Sequence, residues 1–177
     1  DPRYKQVTNG YRDLDWQNQI WALDAPHWSN SGYYTAMLEG SADHVIYNGW
    51  NANPIWFKTR TTNNDFYNEY NTNVFTFKGM VAAAAWVNCQ KVTLKGYRLG
   101  EEEYSEIFYL TRPSGHPRTG SGASTLNVNF QNIDEVKIYR EKYCKGGSDS
   151  WVAIDDIRIQ TTYTTTETET TTILPEG

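Results

Sequence analysis

The chain consists mainly of short apolar and β-branched runs, separated by glycine, asparagine, aspartate and proline. Within most of these runs apolar and polar residues alternate, which is typical of strands that bury one face. The pattern predicts nine strands, at residues 33–39, 44–47, 55–60, 74–86, 91–99, 104–111, 125–130, 135–140 and 151–160. So many short strands with turn residues between them indicate an all-β chain folded as an antiparallel β-sandwich.

Three stretches are less regular. Residues 1–31 carry scattered tryptophans among polar residues, and we expect an irregular lead-in with one or two short strands. Residues 82–85 are four alanines that could form a helical turn, but strand-like segments flank them and favour a strand. The glycines at positions 96 and 100 indicate a turn over residues 96–100, and residues 114–123 a longer loop.

The last seventeen residues, 161–177, alternate threonine and glutamate with few apolar side chains. Such a segment cannot bury enough apolar surface to fold, and dense threonine in a secreted chain is a substrate for O-glycosylation. We therefore expect one β-sandwich domain over residues 1–160, followed by the start of a disordered, glycosylated stalk.

Charge excludes some classes of partner. The formal net charge is −5, and the basic residues do not cluster, which argues against nucleic-acid binding. The longest apolar run covers residues 80–87, far short of the roughly 20 residues that a membrane-spanning helix needs.

The chain has two cysteines, Cys89 and Cys144. In an oxidising compartment they would pair as a disulfide, and the alternative is two reduced, buried thiols. The tail composition and the cysteine count together favour a mature secreted protein whose signal peptide has been removed.

Several short segments resemble a known group of domains. They are Leu-Asp-Trp-Gln-Asn at 14–18, Ser-Gly-Tyr at 31–33, Tyr-Asn-Gly at 47–49, residues 74–86, Val-Thr-Leu-Lys-Gly-Tyr at 92–97, Asn-Ile-Asp-Glu-Val at 132–136 and Ala-Ile-Asp-Asp-Ile at 153–157. Their order resembles secreted jelly-roll domains of fungi and bacteria, which are similar in fold to carbohydrate-binding modules. Because the tail resembles the head-to-stalk junction of yeast cell-wall adhesins, the chain resembles the N-terminal head of a fungal adhesin.

The resemblance implies a structural calcium ion. In such modules an aspartate of the last strand commonly joins an acidic group of the N-terminal segment around Ca²⁺, a cation that takes six to eight oxygen ligands. Here Asp155 and Asp156 would supply the first group, with Asp13 and Glu39 as companions. The alternative is that one aspartate pairs with an arginine or a backbone amide while the other is solvated.

Aromatic and amide residues suggest where a glycan would bind. Trp50, Asn51 and Asn53 fall in a segment of turn formers, and sugar recognition combines a flat ring with amide hydrogen-bonding groups. The alternative is that Trp50 anchors its loop. Trp28 and Tyr33 are further candidates, whereas Trp56, on a predicted strand, is expected in the core.

These observations predict a non-catalytic, extracellular adhesion domain of the cell wall that binds glycans or a host surface. The alternative is homophilic or protein-directed adhesion through surface aromatic residues. A polysaccharide-active enzyme is less favoured, because the three histidines, His27, His44 and His116, are scattered and no catalytic motif accompanies them.

Overall fold

The computed structural model describes residues 4–8, 11, 14–17, 20–40, 44–49, 53–60, 74–87, 89–111, 121–141 and 151–161. Within these residues there are eleven strands and one α-helix. In chain order they are β1 (Tyr4–Gln6), β2 (Leu14–Trp16), β3 (Ile20–Asp24), α1 (Gly32–Glu39), β4 (His44–Asn48), β5 (Ile55–Thr59), β6 (Phe75–Ala84), β7 (Cys89–Arg98), β8 (Glu101–Thr111), β9 (Ser124–Ile133), β10 (Glu135–Glu141) and β11 (Val152–Thr161). A 3₁₀ turn, Ala25–Trp28, precedes α1.

The strands form two antiparallel sheets. The six-stranded sheet has the order β1-β3-β4-β11-β6-β9, and the five-stranded sheet has the order β2-β5-β10-β7-β8. From β4 onward the chain changes sheet at every connection except the β7–β8 hairpin. This alternation is the topology of jelly-roll sandwiches, and the prediction of an all-β antiparallel sandwich is confirmed.

The core lies between the sheets. Its fully buried side chains include Phe57, Phe77, Leu94, Ile133 and Val136. Burial of each such large apolar side chain contributes about 1.5–3 kcal/mol relative to leaving it exposed. The alternation that the sequence shows in β7, β9 and β10 therefore reflects one buried and one outward-facing row per strand.

The strand predicted at residues 33–39 is wrong, because this segment forms helix α1. Its second half, Ala-Met-Leu-Glu, consists of good helix formers, and Tyr33 and Ala36 are buried on one side at helical spacing. Ser31 stands at the N-cap position, and the Gly40 N–H donates to the Ala36 carbonyl, which ends the helix. In so short a run the apolar residues fit the two-residue period of a strand as well as the 3.6-residue period of a helix. The tertiary contacts select the helix.

The turn predicted at residues 96–100 is narrower than expected. Only Leu99 and Gly100 connect β7 to β8, and both have positive φ, 51° and 87°, as a two-residue type I′ hairpin turn requires. Gly96 lies inside β7, where a Cβ atom would come within 3.0 Å of the Phe130 ring. The alanines through Ala84 lie in β6, as predicted.

The N-terminal and C-terminal parts of the domain differ in detail from the sequence predictions. Three short strands, β1 to β3, occupy the region where one or two were expected. Thr161, the first residue of the predicted tail, is the last residue of β11, and residues 162–177 lie outside the described residues. Among the described residues, no helix is long and apolar enough to cross a membrane.

Candidate functional site

The outer face of the six-stranded sheet is covered by α1 and the 3₁₀ turn. Small residues on this face, Ala83, Ala85 and Ala153, leave room for the helix. Gly32 is essential to this contact, since a Cβ atom there would lie 2.0 Å from the Ala84 carbonyl oxygen. The Gly32 N–H donates to the Ala85 carbonyl at 2.9 Å, so the start of the helix is fixed to the end of β6.

Aromatic rings fill the edge of this covered face. Tyr33 packs against Tyr47 and Trp86 with centroid separations of 5.5 and 5.6 Å, and Trp28 lies 5.6 Å from Trp86. Tyr33 is 1% exposed, and this burial raises the pKa of its phenol well above the ordinary value of 10.0. Tyr33 and Tyr47 belong to a second small core, whereas Trp86 at its rim is 38% exposed.

The outer face of the five-stranded sheet has the opposite character, and we call it the open face. No described element packs against it. Strand register places alternate residues of five strands on this face: Asp15, Trp56, Lys58, Lys91, Thr93, Lys95, Tyr97, Glu102, Ser105, Ile107, Tyr109, Glu135, Lys137, Tyr139 and Glu141. Aromatic, cationic, anionic and hydroxyl side chains are therefore interleaved on a single sheet surface.

Each tyrosine that β7 and β10 place on the open face lies beside a lysine. The Lys137 ammonium is 4.2 Å from the Tyr97 ring centroid, and that of Lys95 is 5.6 Å from the Tyr139 centroid. The Tyr97 and Tyr139 hydroxyls are 3.5 Å apart. Burial raises the pKa of Tyr97, and the hydrogen bond to Tyr139 raises it further.

The charges on the open face are balanced. Lys91 pairs with Glu141 at 2.9 Å and Lys137 with Glu135 at 3.3 Å. Lys95 pairs with Glu102 at 2.7 Å, a hydrogen bond that raises the lysine's pKa. The four lysines and four carboxylates of the face thus leave it without a dominant sign, although it is rich in hydrogen-bonding groups.

The predicted glycan-binding residues do not form one cluster among the described residues. Trp50 and Asn51 lie outside the described residues, and their role stays a prediction. Asn53 bonds to the backbone of Arg140, accepting from its N–H at 3.1 Å and donating to its carbonyl at 3.2 Å. Trp28 and Tyr33 belong to the covered face, where the Tyr33 ring is inaccessible to a glycan.

Trp56 was expected in the core, and this expectation is wrong. Its neighbours Ile55 and Phe57 are buried, while Trp56 is half-buried on the open face, opposite Lys137. Sequence reasoning also missed Tyr97 and Tyr139. The available signal was the alternation in β10, where Glu135, Lys137 and Tyr139 are interleaved with buried valine and isoleucine.

A cavity of about 660 Å³ opens at the end of the sandwich beside β1 and β2. The residues that line it include Lys5, Tyr11, His44, Asp155 and Asp156, above an apolar floor. A β-bulge in β11 shapes this wall, and Asp156 there has a φ of 45°. The structure therefore brings the two aspartates together with one histidine and one lysine.

The calcium prediction concerns the same two aspartates. The Asp155 carboxylate packs against Gly40 and accepts a hydrogen bond from the Asp156 N–H at 2.8 Å. Glu39 is the last residue of α1, and Asp13 lies outside the described residues. Within the described ranges no group of three or more histidine, cysteine, aspartate or glutamate side chains could hold a metal ion. Calcium stays a prediction that depends on undescribed residues.

Cys89, the first residue of β7, is disulfide-bonded. The sequence contains one other cysteine, Cys144, which lies outside the described residues. Disulfides of this kind persist in oxidising compartments.

Comparisons with known proteins give a fold and no function. No protein-family model matches the chain, and no curated protein matches it. A solved structure of a DUF4465 family protein from Bacteroides caccae is similar with a TM-score of 0.57 and 13% sequence identity, over 90% of this chain and 86% of that one. This likeness supports the fold alone, and it corrects the expected kinship with fungal adhesin heads, because this similar structure is of a bacterial protein.

Proposed function

We propose that this chain is a non-catalytic, extracellular adhesion domain that binds neutral glycans on its open face. The observation that carries the proposal is a pair of half-buried rings, Trp56 and Tyr139, interleaved with hydrogen-bonding side chains on a sheet surface that no described element covers. Tyr97 lies on the same surface but is only 9% exposed, so we do not assign it a stacking role. A pyranose ring stacks its C–H face on an aromatic plane, and its hydroxyls bond to carboxylates, ammonium groups and hydroxyls.

The balanced charge on the open face favours an uncharged ligand. Lys91, Lys95 and Lys137 each already have a carboxylate partner on the same face. An anionic polysaccharide would have to displace these partners, whereas a neutral one adds hydrogen bonds to the existing pairs. The disulfide at Cys89 supports the extracellular location.

Titration with soluble neutral polysaccharides, namely mannan, xylan and a β-1,3-glucan, tests the proposal, with alginate as an anionic comparison. We expect at least one neutral polymer to bind, and Trp56→Ala or Tyr139→Ala to weaken binding at least tenfold, about 1.4 kcal/mol. Assay of the same mixtures for released reducing ends should show no turnover.

Tyr11→Ala is the matched control, because Tyr11 is 54% exposed but lines the cavity instead of the open face. It should leave binding unchanged. Loss of binding with Tyr11→Ala but not with Trp56→Ala would place the glycan site in the cavity and contradict the proposal. Failure of all the neutral polymers to bind at millimolar concentration would also contradict it.

A further inference from the structure

Two positive charges lie on the outer face of the six-stranded sheet, beyond the alanines on which α1 packs. Lys78 on β6 donates a hydrogen bond to the side-chain oxygen of Asn129, and Arg158 on β11 donates one to that of Asn127 at 2.8 Å. Within the described part of the chain, neither cation forms an ion pair with a carboxylate. Three lysines of the open face, by contrast, are paired with carboxylates.

The sheet is shaped to hold the Arg158 guanidinium in place. In the strand register, Gly79 of β6 lies between Arg158 and Asn127. A Cβ atom at Gly79 would lie 3.0 Å from a terminal nitrogen of the guanidinium, so the absence of a side chain leaves room for Arg158 to extend across β6. The φ of 118° at Gly79 also favours glycine. Arg158 is thereby directed to Asn127, two strands away.

The two asparagines orient these cations without neutralising them. A side-chain amide has one oxygen that accepts and one NH₂ group that donates. Because lysine and arginine only donate, they bond to the amide oxygens, and the NH₂ groups are left as further donors. We call these four side chains, Lys78, Asn127, Asn129 and Arg158, the donor cluster. It presents mainly N–H donors and carries two positive charges.

We propose that the donor cluster binds carboxylate or sulfate groups of an acidic polysaccharide. Asn127 and Asn129 are two residues apart on β9, so their backbones are about 7 Å apart along the strand. The cations that they hold are separated by a similar distance, which allows one carboxylate or sulfate to accept from both. Such charge-assisted hydrogen bonds are stronger than those between neutral groups.

A polymer suits this site better than a free anion, because the cluster is exposed. The hydrogen bonds of Lys78 and Arg158 both lie at the surface, where an ion pair contributes only about 0–1 kcal/mol. A chain that repeats its anionic group gains affinity from many weak contacts. Next to the cluster, Thr76 and Gln160 are paired across β6 and β11, and these uncharged side chains can bond to sugar hydroxyls.

Titration of the full chain with alginate, which carries carboxylates, and with dextran sulfate tests the proposal. We expect at least one of the two polymers to bind, and Lys78→Gln combined with Arg158→Gln to raise the dissociation constant at least tenfold. Binding should weaken as the salt concentration rises from about 0.01 M to about 0.15 M, because the Debye length falls from about 30 Å to about 8 Å. Failure of both polymers to bind at the lower salt concentration would overturn the proposal.

Lys5→Gln combined with Arg60→Gln is the matched control. It removes one lysine and one arginine from exposed positions elsewhere, so the net charge changes by the same amount, and it should bind like the wild type. Equal weakening in the two double variants would mean that the polymers respond to net charge alone, which contradicts the proposal. Because the donor cluster and the open face belong to different sheets, failure of neutral polysaccharides to bind would leave this proposal standing.

Asn127→Asp combined with Asn129→Asp tests the role of the neutral amides. Aspartate is similar in size and keeps an acceptor oxygen for each cation, but its negative charge neutralises that cation. The change in net charge equals that of the control. This variant should lose binding to both acidic polymers, while its free energy of unfolding does not fall. A folded variant that binds them like the wild type would refute the proposed site.

Discussion

The outer faces of the two sheets differ in the size of their central residues and in what covers them. On the six-stranded sheet the outward residues beneath α1 are small, among them Ala83 and Ala153, and the helix packs directly against them. On the five-stranded sheet the outward residues are long, among them Lys95 and Tyr139, and no described element covers them. Small outward residues at this position let the helix approach the sheet closely.

The two faces also satisfy their polar groups differently. Under α1, the Thr35 hydroxyl lies 3.0 Å from the Gly32 carbonyl and 2.9 Å from that of Ser121, within reach of either acceptor. The Ala84 N–H donates to the Ser121 hydroxyl at 2.7 Å. On the open face, lysines pair with carboxylates while keeping contact with water. A glycan could exchange with that water, but nothing comparable could enter beneath the helix.

Removing one ring from each face tests this comparison most strongly. Tyr33→Ala should lower the free energy of unfolding by about 3–5 kcal/mol, because it leaves a cavity among packed rings. Tyr109→Ala, on the open face, should change the free energy of unfolding by no more than about 0.5 kcal/mol. Urea unfolding of dilute protein measures both, and equal losses would show that the open face is as tightly packed as the covered one.

Gly32→Ala tests the close approach of the helix. The added Cβ would collide with the Ala84 carbonyl, so α1 must shift, at a cost of about 1–3 kcal/mol. Glu39→Ala, at an exposed position of the same helix, should stay within about 0.5 kcal/mol of the wild type. If Gly32→Ala unfolds at the wild-type urea concentration, the helix is not held as closely as described.

Alkaline pH should lower the free energy of unfolding, because a buried tyrosine of the covered face must stay neutral in the folded protein. Burial raises the pKa of Tyr33 in the folded state, so its contribution to stability is complete below the ordinary tyrosine pKa of 10.0 and declines above it. Above pH 10.0 the tyrosine ionises in the unfolded chain but stays neutral in the folded protein. The free energy of unfolding then falls by about 1.4 kcal/mol per pH unit for each such tyrosine, until the pH reaches the folded-state pKa. Tyr33→Phe should therefore flatten the decline above pH 10.0.

Tyr109→Phe is the control for this pH dependence, since its ring is exposed on the open face. Thermal unfolding across the alkaline range measures both variants. A Tyr33→Phe protein that loses stability as steeply as the wild type would show that other groups control the transition.

The smallest expected effect concerns the ammonium–ring contacts of the open face. Lys137→Met keeps the aliphatic stem over Tyr97 but removes the charge 4.2 Å from the ring centroid, and should cost about 0.5–1 kcal/mol. Lys137→Arg should retain most of this stability. Urea unfolding of the two variants separates them, and equal losses would mean that packing of the stem matters more than the charge.

Part of the fold was predictable because alternation is a local property. The rows of β7 and β10 follow directly from valine, leucine and isoleucine at every second position. The helix at Gly32–Glu39 was not predictable, because eight residues with three buried side chains are too few to distinguish a helix from a strand. Only the small residues of β6 and β11, brought beneath it by the sheet order, make the helical form the better packed one.

The candidate site shows the same limit. Trp50, Asn51 and Asn53 were selected because they are neighbours in sequence, whereas the rings of the open face come from β5, β7 and β10, dozens of residues apart. Pairing of β10 with both β5 and β7 brings Trp56, Tyr97 and Tyr139 onto one surface. No single-strand pattern contains that information.

By itself the sequence determined that the chain forms strands, which side of most strands is apolar, and that the chain has two cysteines and no basic cluster. The tertiary structure decided which outward row is covered by a helix and which stays open, and which strand is left at an edge. The physical reason is that alternation depends on adjacent residues, whereas coverage and edges depend on strand order, which results from contacts between residues far apart in the chain.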